Sequence, residues 1–369
     1  MRKVVRPIKK PIMKNYSIKI SFLPILLLLI TSTATAQYDG SFDDIYFNRS
    51  ISAQSSALGK SSKALSDNAF SIYANSALLG FQDSYLASFS TSSPYYTLEN
   101  GKFNFYGIGG KLINNISVGI THLNFDTGES RDQQLTTLSF IYQPIEKLSL
   151  GANIQRFTLD AGTRRDEVGN VIGDATSNQY YFDLTSSYIL PINLSFAEES
   201  SLKLGFTFEN IFQQAIDVGF GSTNSKIELP SIITIGARNK LYWNQISEFF
   251  LVKNISLHLL AEYQEVINYK YKTRFSLGSQ LGLNDYINLR IGYYIQNNDD
   301  FNIATNKSSI SDLTYGAGAN FPLSRFMNLD KKFILSIDFT RMQQPLYTTD
   351  NQFNIGKFST FSASVKVDI

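Results

Sequence analysis

From Gln82 to the C-terminus the chain consists of segments of roughly ten residues in which apolar and polar side chains alternate. In one of them Phe333, Leu335 and Ile337 alternate with Lys332, Ser336 and other polar residues. A period of two places successive side chains on opposite faces of a strand, and segments of this length are typical of membrane-spanning strands. The pattern predicts an all-β fold: an antiparallel transmembrane β-barrel of about fourteen strands.

The predicted strands lie near 83–92, 102–111, 115–124, 133–143, 147–158, 178–190, 201–211, 231–240, 254–264, 272–282, 286–296, 311–321, 332–341 and 358–369. A soluble β-sandwich also alternates. Two features favour the membrane barrel. The segments are longer than ordinary soluble strands, and aromatic pairs such as Tyr95-Tyr96, Tyr180-Tyr181 and Tyr293-Tyr294 stand near their ends, where interfacial girdles lie. The long segment 159–177 is predicted to be an external loop.

Residues 1–36 have the pattern of a secretory signal peptide. Basic residues precede an apolar run at 22–30, and Ala34-Thr35-Ala36 supplies a small-residue cleavage site. The run is too short for a membrane-spanning helix and contains Pro24. The mature chain is therefore predicted to begin at Gln37 and to be exported to the outer membrane of a Gram-negative cell.

Residues 37–81 differ from everything that follows. Their second half is rich in Ala and Ser, and Ala57, Leu58, Ala64 and Leu65 recur at helical spacing before the turn-forming Ser66-Asp67-Asn68. Their apolar content is too low for a core of their own. We therefore expect a partly helical segment that packs against the barrel formed by residues 82–369.

The same stretch carries a resemblance to a known family. Ala57-Leu58-Gly59-Lys60, the turn at Asp67, and Asn75-Ser76-Ala77 followed by two leucines resemble the N-terminal signature of FadL-like outer-membrane barrels, in the PorV/PorQ branch of type IX secretion. The family signature has Asn-Pro-Ala, and this chain has Ser76 in place of the proline. The resemblance implies that residues 37–81 form a hatch inside the lumen, and that its site residues are Gly59, Asp67, Asn75, Ser76 and Ala77.

Charged residues within the alternating segments predict the lining of the lumen. A basic side chain that faced lipid near the midplane would cost about 2–4 kcal/mol, so charged residues opposite an apolar face should point inward. These residues are Lys203, Glu209, Arg238, His258, Glu262, Arg274, Arg290, Asp338 and Lys366. Acidic and basic residues interleave among them, which favours a lumen filled by hydrogen bonds and ion pairs over a simple water-filled channel.

The sequence contains no recognisable catalytic motif. The two histidines, His122 and His258, lie on different predicted strands, and no nucleophile elbow, phosphate loop or zinc motif is present. The absence of cysteine excludes disulfides and thiolate metal sites. A net charge of +2 gives no field for nucleic acid. We therefore expect a protein that is not an enzyme and has no cofactor.

Two functions remain open. The first is a PorV/PorQ-like component of type IX secretion, embedded in outer-membrane lipid, that binds partner or cargo proteins. The second is a FadL-like channel for a hydrophobic ligand, with the hatch as its gate and a lateral opening in the wall. A packed polar lumen would favour the first function, and an apolar pocket next to the hatch would favour the second. The interleaved charges favour secretion.

Overall fold

The computed structural model describes residues 50–65, 68–93, 102–126, 132–165, 171–220, 223–247, 252–268, 273–297, 309–324, 332–347 and 353–368. The predicted signal peptide and Asp67 lie outside the described residues. The strands are β1 Ser84–Ser93, β2 Lys102–Ile113, β3 Ile116–Asp126, β4 Asp132–Ile145, β5 Leu148–Arg165, β6 Val171–Pro191, β7 Glu199–Glu209, β8 Ala215–Phe220, β9 Thr223–Glu228, β10 Ile232–Ser247, β11 Val252–Val266, β12 Thr273–Leu283, β13 Ile287–Asn297, β14 Ser309–Pro322, β15 Phe333–Tyr347 and β16 Phe353–Asp368.

Fourteen of these strands close into an antiparallel barrel, as predicted. Each barrel strand pairs with the next one along the chain, except that β7 pairs with β10 and β16 returns to pair with β1. The intervening β8 and β9 form a separate two-stranded hairpin. Each barrel strand overlaps one of the predicted segments.

The prediction of a loop at 159–177 is wrong for most of that segment. β5 continues to Arg165 and β6 begins at Val171, and the two strands pair from Leu148 to beyond Asp160. Polar residues follow one another in this part of the sequence, so the alternation that identified the other strands is missing. Backbone pairing does not require an apolar face, and the strands therefore extend past the region that the sequence pattern marks.

The barrel has an apolar outer surface, and much of its interior is polar. β13 shows this most regularly, since Ile287, Leu289 and Ile291 are exposed on the outside while Asn288 and Arg290 are buried on the inside. An apolar outer face that meets no other part of the chain is what a lipid-facing barrel requires. Among the described residues, no helix combines the length and the hydropathy that crossing a membrane would need.

The two ends of the barrel differ. The long β5–β6 hairpin and the β8–β9 hairpin both lie at the end opposite the C-terminal end of β16. Membrane barrels have longer connections outside the cell than in the periplasm. We therefore call this end the outer end and the opposite one the inner end.

Residues 50–65 and 68–81 lie inside the barrel, and we call them the plug. They form helix α1 (Ala53–Ala57), helix α2 (Phe70–Ala74) and a 3₁₀-helix (Ser76–Phe81). Such short helices are not stable alone. α1 packs against β13 to β16, and the 3₁₀-helix packs against β2 to β6, so the plug reaches across the lumen from wall to wall.

Candidate functional site in the barrel lumen

Glycines on the inward faces of the strands let the plug approach the wall. A Cβ atom at Gly292 would overlap the backbone nitrogen of Gly59, and a Cβ atom at Gly205 would overlap the carbonyl oxygen of Lys63. We call the wall glycines that meet the plug the glycine belt: Gly109, Gly119, Gly151, Gly205, Gly236, Gly278, Gly292 and Gly316. The alternation of apolar and polar residues does not predict this belt, although glycine within a strand is a known sign of close backbone approach.

Gly59, predicted as a site residue, forms the turn that follows α1. Its φ of +67° lies in the left-handed region, and a Cβ atom there would be 2.5 Å from the carbonyl oxygen of Tyr293. Glycine is therefore required both by the backbone conformation and by the space. The Gly59 N–H donates to Oγ1 of Thr314 at 3.0 Å, and that hydroxyl donates to the Ala57 carbonyl at 3.1 Å.

Three of the predicted lumen residues meet the plug on one side of the barrel. One carboxylate oxygen of Glu262 accepts from the backbone N–H groups of Ser62, at 2.7 Å, and Lys63, at 2.9 Å. Its other oxygen accepts from Arg274 at 3.4 Å. The Lys63 ammonium donates to Glu209 at 2.7 Å. Hydrogen bonds to charged groups are stronger than those between neutral groups, so this part of the plug is firmly attached.

Asn75 joins two parts of the plug to the wall. Its Nδ2 atom donates to the carbonyl oxygens of Lys63, at 2.8 Å, and Ser186, at 3.1 Å, and the residue is fully buried. The neighbouring Ser76 shares a 2.9 Å hydrogen bond with Thr185, whose hydroxyl also accepts from the Ala77 N–H at 3.2 Å. These three predicted hatch residues therefore lie together at one wall contact.

The remaining predicted lumen residues lie on the inner-end side of the belt. Arg290 donates to Asp338 at 2.6 Å and to Gln280 at 2.7 Å. Lys203, Arg238 and His258 are also buried there. Lys366 is only partly buried and donates to Gln82 at 3.3 Å, at the inner end of the barrel.

Replacing Arg290 should destabilise the barrel strongly. Arg290→Leu leaves the buried Asp338 carboxylate without its cation, a change that costs about 3–5 kcal/mol. The temperature at which the folded band disappears in heat-modifiability gels should fall. The double variant Arg290→Leu, Asp338→Leu removes both charges and should recover most of the loss. A double variant as unstable as the single one would contradict this account of the ion pair.

An apolar cluster that the sequence pattern does not predict lies inside the lumen, on the outer-end side of the belt. The plug contributes Phe70, whose ring centroid is 5.2 Å from that of Phe105 on β2, and Tyr73 packs against the same ring at 5.9 Å. The lumen cluster, as we call it, comprises Ile51, Phe70, Phe103, Phe105, Leu123, Phe125, Leu135, Phe157, Leu159, Tyr181, Ile216, Leu229, Ile232, Val266, Tyr294 and Met342.

Between the plug and the wall lies a cavity of about 40 Å³. Phe70 and Tyr73 line it together with Lys63, Glu209 and Arg274. A cavity of this size holds water but not a hydrocarbon. A hydrophobic molecule could therefore pass this level only if the plug moved.

The wall itself divides between β14 and β15. Their pairing runs from Pro322 up to Tyr315, which lies opposite Arg341. Beyond that point, within the described residues, 309–314 pair with β13 alone and 342–347 pair with β16 alone. We call this gap the wall split. Thr314 at its edge is bonded to the plug, and Met342 at the opposite edge belongs to the lumen cluster.

No family model matches the chain. No curated protein matches it either. Solved structures do match. The CymD monoaromatic hydrocarbon channel is 12% identical, with 86% of this chain and 97% of that chain covered and a TM-score of 0.50. A FadL homologue of Pseudomonas aeruginosa is 13% identical, with coverages of 86% and 98% and a TM-score of 0.44. The toluene transporter TodX of Pseudomonas putida is 13% identical, with coverages of 86% and 97% and a TM-score of 0.42.

The likeness to CymD extends over nearly the whole length of both chains. It shows that this chain, a closed fourteen-stranded barrel, shares the fold of that channel.

Proposed function

We propose that this protein is an outer-membrane channel through which hydrophobic small molecules enter the cell, with the plug as its gate. The observation that carries the proposal is the lumen cluster, which lies directly against the plug on its outer-end side. The interior of a water-filled porin is polar. This barrel instead has large apolar side chains that face inward next to the gate. Such side chains suit a site that binds apolar molecules entering from the outer end.

This proposal takes the second of the two functions that the sequence left open. The apolar environment next to the hatch is the feature that separates transport from secretion. The interleaved charges that favoured secretion lie on the inner-end side of the belt or hold the plug, so they do not fill the outer half of the lumen. The chain needs no catalytic group for this role.

The wall split supports a route from the lumen cluster into the membrane. Met342 lies at its edge within the cluster, and the outward-facing Leu313 and Tyr315 are exposed where lipid would surround them. Unpaired backbone at membrane depth is tolerated only where protein or water covers it. α1 packs behind this part of the wall. Movement of the plug would uncover the split from the inside and let an apolar molecule leave sideways.

Aromatic hydrocarbons are the ligands we propose to test first. CymD is described as a monoaromatic hydrocarbon channel and TodX as a toluene transporter. The lumen cluster itself contains aromatic rings. The rings of Phe70 and Tyr73 pack against Phe105 in tilted and edge-to-face arrangements, and the ring of an aromatic ligand could pack against them in the same way.

Phe105→Gln should weaken toluene binding about tenfold or more. The substitution removes one fully buried aromatic side chain, worth about 1.5–3 kcal/mol of apolar contact, from the centre of the cluster. Displacement of a fluorescent hydrophobic probe from the purified protein in detergent measures the affinity. Phe89→Gln is the matched control, because Phe89 packs against the outward-facing Tyr106 on the neighbouring strand and should leave binding unchanged. Equal losses in the two variants would argue against a lumenal binding site.

A second candidate is the secretion component of the PorV/PorQ type. The ion-paired attachment of the plug around Lys63 favours it, because a firmly closed barrel suits a protein that presents its surface to partners. Purification of the protein from detergent-solubilised outer membrane tests this function. Partner proteins retained in fixed proportion would support it, and a chain recovered alone that binds toluene would support the channel.

A further inference from the structure

A groove of about 560 Å³ lies on the outer surface of the barrel, where β1, β2, β3 and β16 approach the inner end. Small residues, among them Ala87 and Gly110, line it together with the large side chains of Tyr85, Ile108 and Leu112. Each of these three large side chains is exposed on the outside of the wall. Pockets that hold small ligands have volumes of about 300–1,000 Å³, so the groove has room for a hydrocarbon chain. We call it the surface groove.

The wall behind the surface groove consists of bare backbone. Gly109 on β2 lies directly opposite Gly119 on β3, and both line the groove. On the lumen side, a Cβ atom at Gly109 would be 2.6 Å from Cδ1 of Ile72, and a Cβ atom at Gly119 would be 2.7 Å from Cγ2 of the same side chain. Ile72 belongs to the plug and is fully buried. Only main-chain atoms therefore separate the plug from the groove at this point.

The surroundings of the surface groove determine what can occupy it. The outer face of a membrane barrel meets the hydrocarbon of the bilayer. Since the groove is close to the inner end, it belongs to the leaflet that faces the periplasm, where the chains of phospholipids lie against the wall. An apolar surface that no neighbouring atoms cover loses its dispersion contacts, so an acyl chain that fills the groove is stabilised there. The groove therefore suits one chain of a phospholipid.

An ion pair stands at the inner-end edge of the surface groove. Lys111, which lines the groove, has its ammonium 2.5 Å from Oδ1 of Asp83, the residue that precedes β1. The side chain of Asp83 is 82% exposed and that of Lys111 is 24% exposed. An ammonium has three donors and a carboxylate has two oxygens, and this pair uses one of each. Both groups can therefore bind a second charged partner at the membrane surface.

The two charges of this ion pair favour a lipid head group that carries both signs. A purely anionic head group would be attracted by Lys111 and repelled by Asp83. A head group with a phosphate and a primary ammonium can accept from Lys111 and donate to Asp83, and both hydrogen bonds are charge-assisted. Water and salt weaken contacts between exposed charges, so the head group alone would bind weakly. The acyl chain in the groove supplies the rest of the affinity.

We propose that the surface groove and the ion pair of Lys111 with Asp83 form a binding site for one phosphatidylethanolamine molecule. One acyl chain lies in the groove, and the head group bridges the two charged side chains. The bound lipid supports from outside the glycine part of the wall that Ile72 contacts from inside. The inference does not depend on what the channel conducts.

Native mass spectrometry of the full chain tests the groove. The protein is released from non-ionic detergent micelles doped with phosphatidylethanolamine, and one retained lipid is expected. Ala87→Phe fills the groove from an exposed position and should weaken lipid binding about tenfold or more. Ala152→Phe is the matched control, because Ala152 is also exposed and lies at a similar distance from the inner end, on β5. The control should retain the lipid as the wild type does.

A second arm tests the head group with an equal mixture of phosphatidylethanolamine and phosphatidylglycerol that have identical acyl chains. The wild type should retain about two- to fivefold more phosphatidylethanolamine. Asp83→Asn should abolish this preference, whereas Glu146→Gln, which removes an exposed acidic group at the same end of the barrel, should preserve it.

Two results would overturn the proposal. One is a wild type that retains no phosphatidylethanolamine, or retains as much of it as Ala87→Phe does. The other is a wild type that retains both lipids equally, which would exclude the proposed role of the ion pair. Toluene binding is measured separately, so failure here leaves the proposed channel function standing.

Discussion

A chain in which residues 51–74 are replaced by a Gly-Ser linker of equal length is expected to conduct ions steadily across a planar bilayer, whereas the intact chain should be nearly silent. A barrel of eight strands is filled by its own side chains, and one of 16–18 strands leaves an aqueous channel. Fourteen strands enclose an intermediate space, which the plug fills here. The wall strands hydrogen-bond to one another and not through the plug, so the barrel should survive the replacement.

The linker keeps the chain length constant, so only the loss of plug contacts distinguishes the two proteins. A heat-modifiability gel run in parallel shows whether the barrel has folded. The plug would not be the barrier if the wild type conducted like an open porin and the replacement left its conductance unchanged.

Gly205→Ala should produce intermittent opening and a loss of stability of about 1–3 kcal/mol. The added methyl group would overlap the Lys63 carbonyl and would lie 2.9 Å from Nδ2 of Asn75. Both groups belong to the contact between the plug and strands β6 and β7. The backbone at this contact cannot shift to make room for the methyl group unless the plug moves. Single-channel recordings should show brief openings that the wild type lacks.

Gly282→Ala is the matched control for this substitution. Gly282 lies on β12, and a methyl group there would meet the side chains of Ser256 and Asn288, which belong to the wall and can rotate away. The control should remain closed. If it opened as often as Gly205→Ala, the openings would come from a weakened wall and not from a displaced plug.

The barrel could be predicted from sequence because lipid imposes one apolar face on every spanning strand. In β13 the alternation of Leu289 and Arg290 fixes both the strand and the direction of each side chain. The partners of the inward residues could not be predicted. Arg290 pairs with Asp338, which is two strands away, and this pairing depends on the register of the intervening β14 and on the length of the side chains. A two-residue alternation specifies neither of them.

The lumen cluster escaped prediction because alternation disappears where both faces of a strand are apolar. On β2, Phe103 and Phe105 point inward while Tyr106 and Ile108 point outward, so the strand shows no polar face that would mark its inside. The plug contacts around Asn75 were suggested by a resemblance of short motifs, and the wall residues that they meet, such as Thr185, carry no local signal.

The closing seam of the barrel constrains how the protein can assemble. β1 and β16, the first and last strands of the wall, must find each other across nearly the whole length of the chain. The start of the plug touches both of them: Ser90 on β1 donates to the Ile51 carbonyl, and the Ala53 N–H donates to Ser362 on β16 at 3.2 Å. A plug that fits tightly against a ring of glycines has no wide entrance once that ring is complete. We therefore expect the wall to close around the plug, which is in position to help bring the two ends of the sheet together.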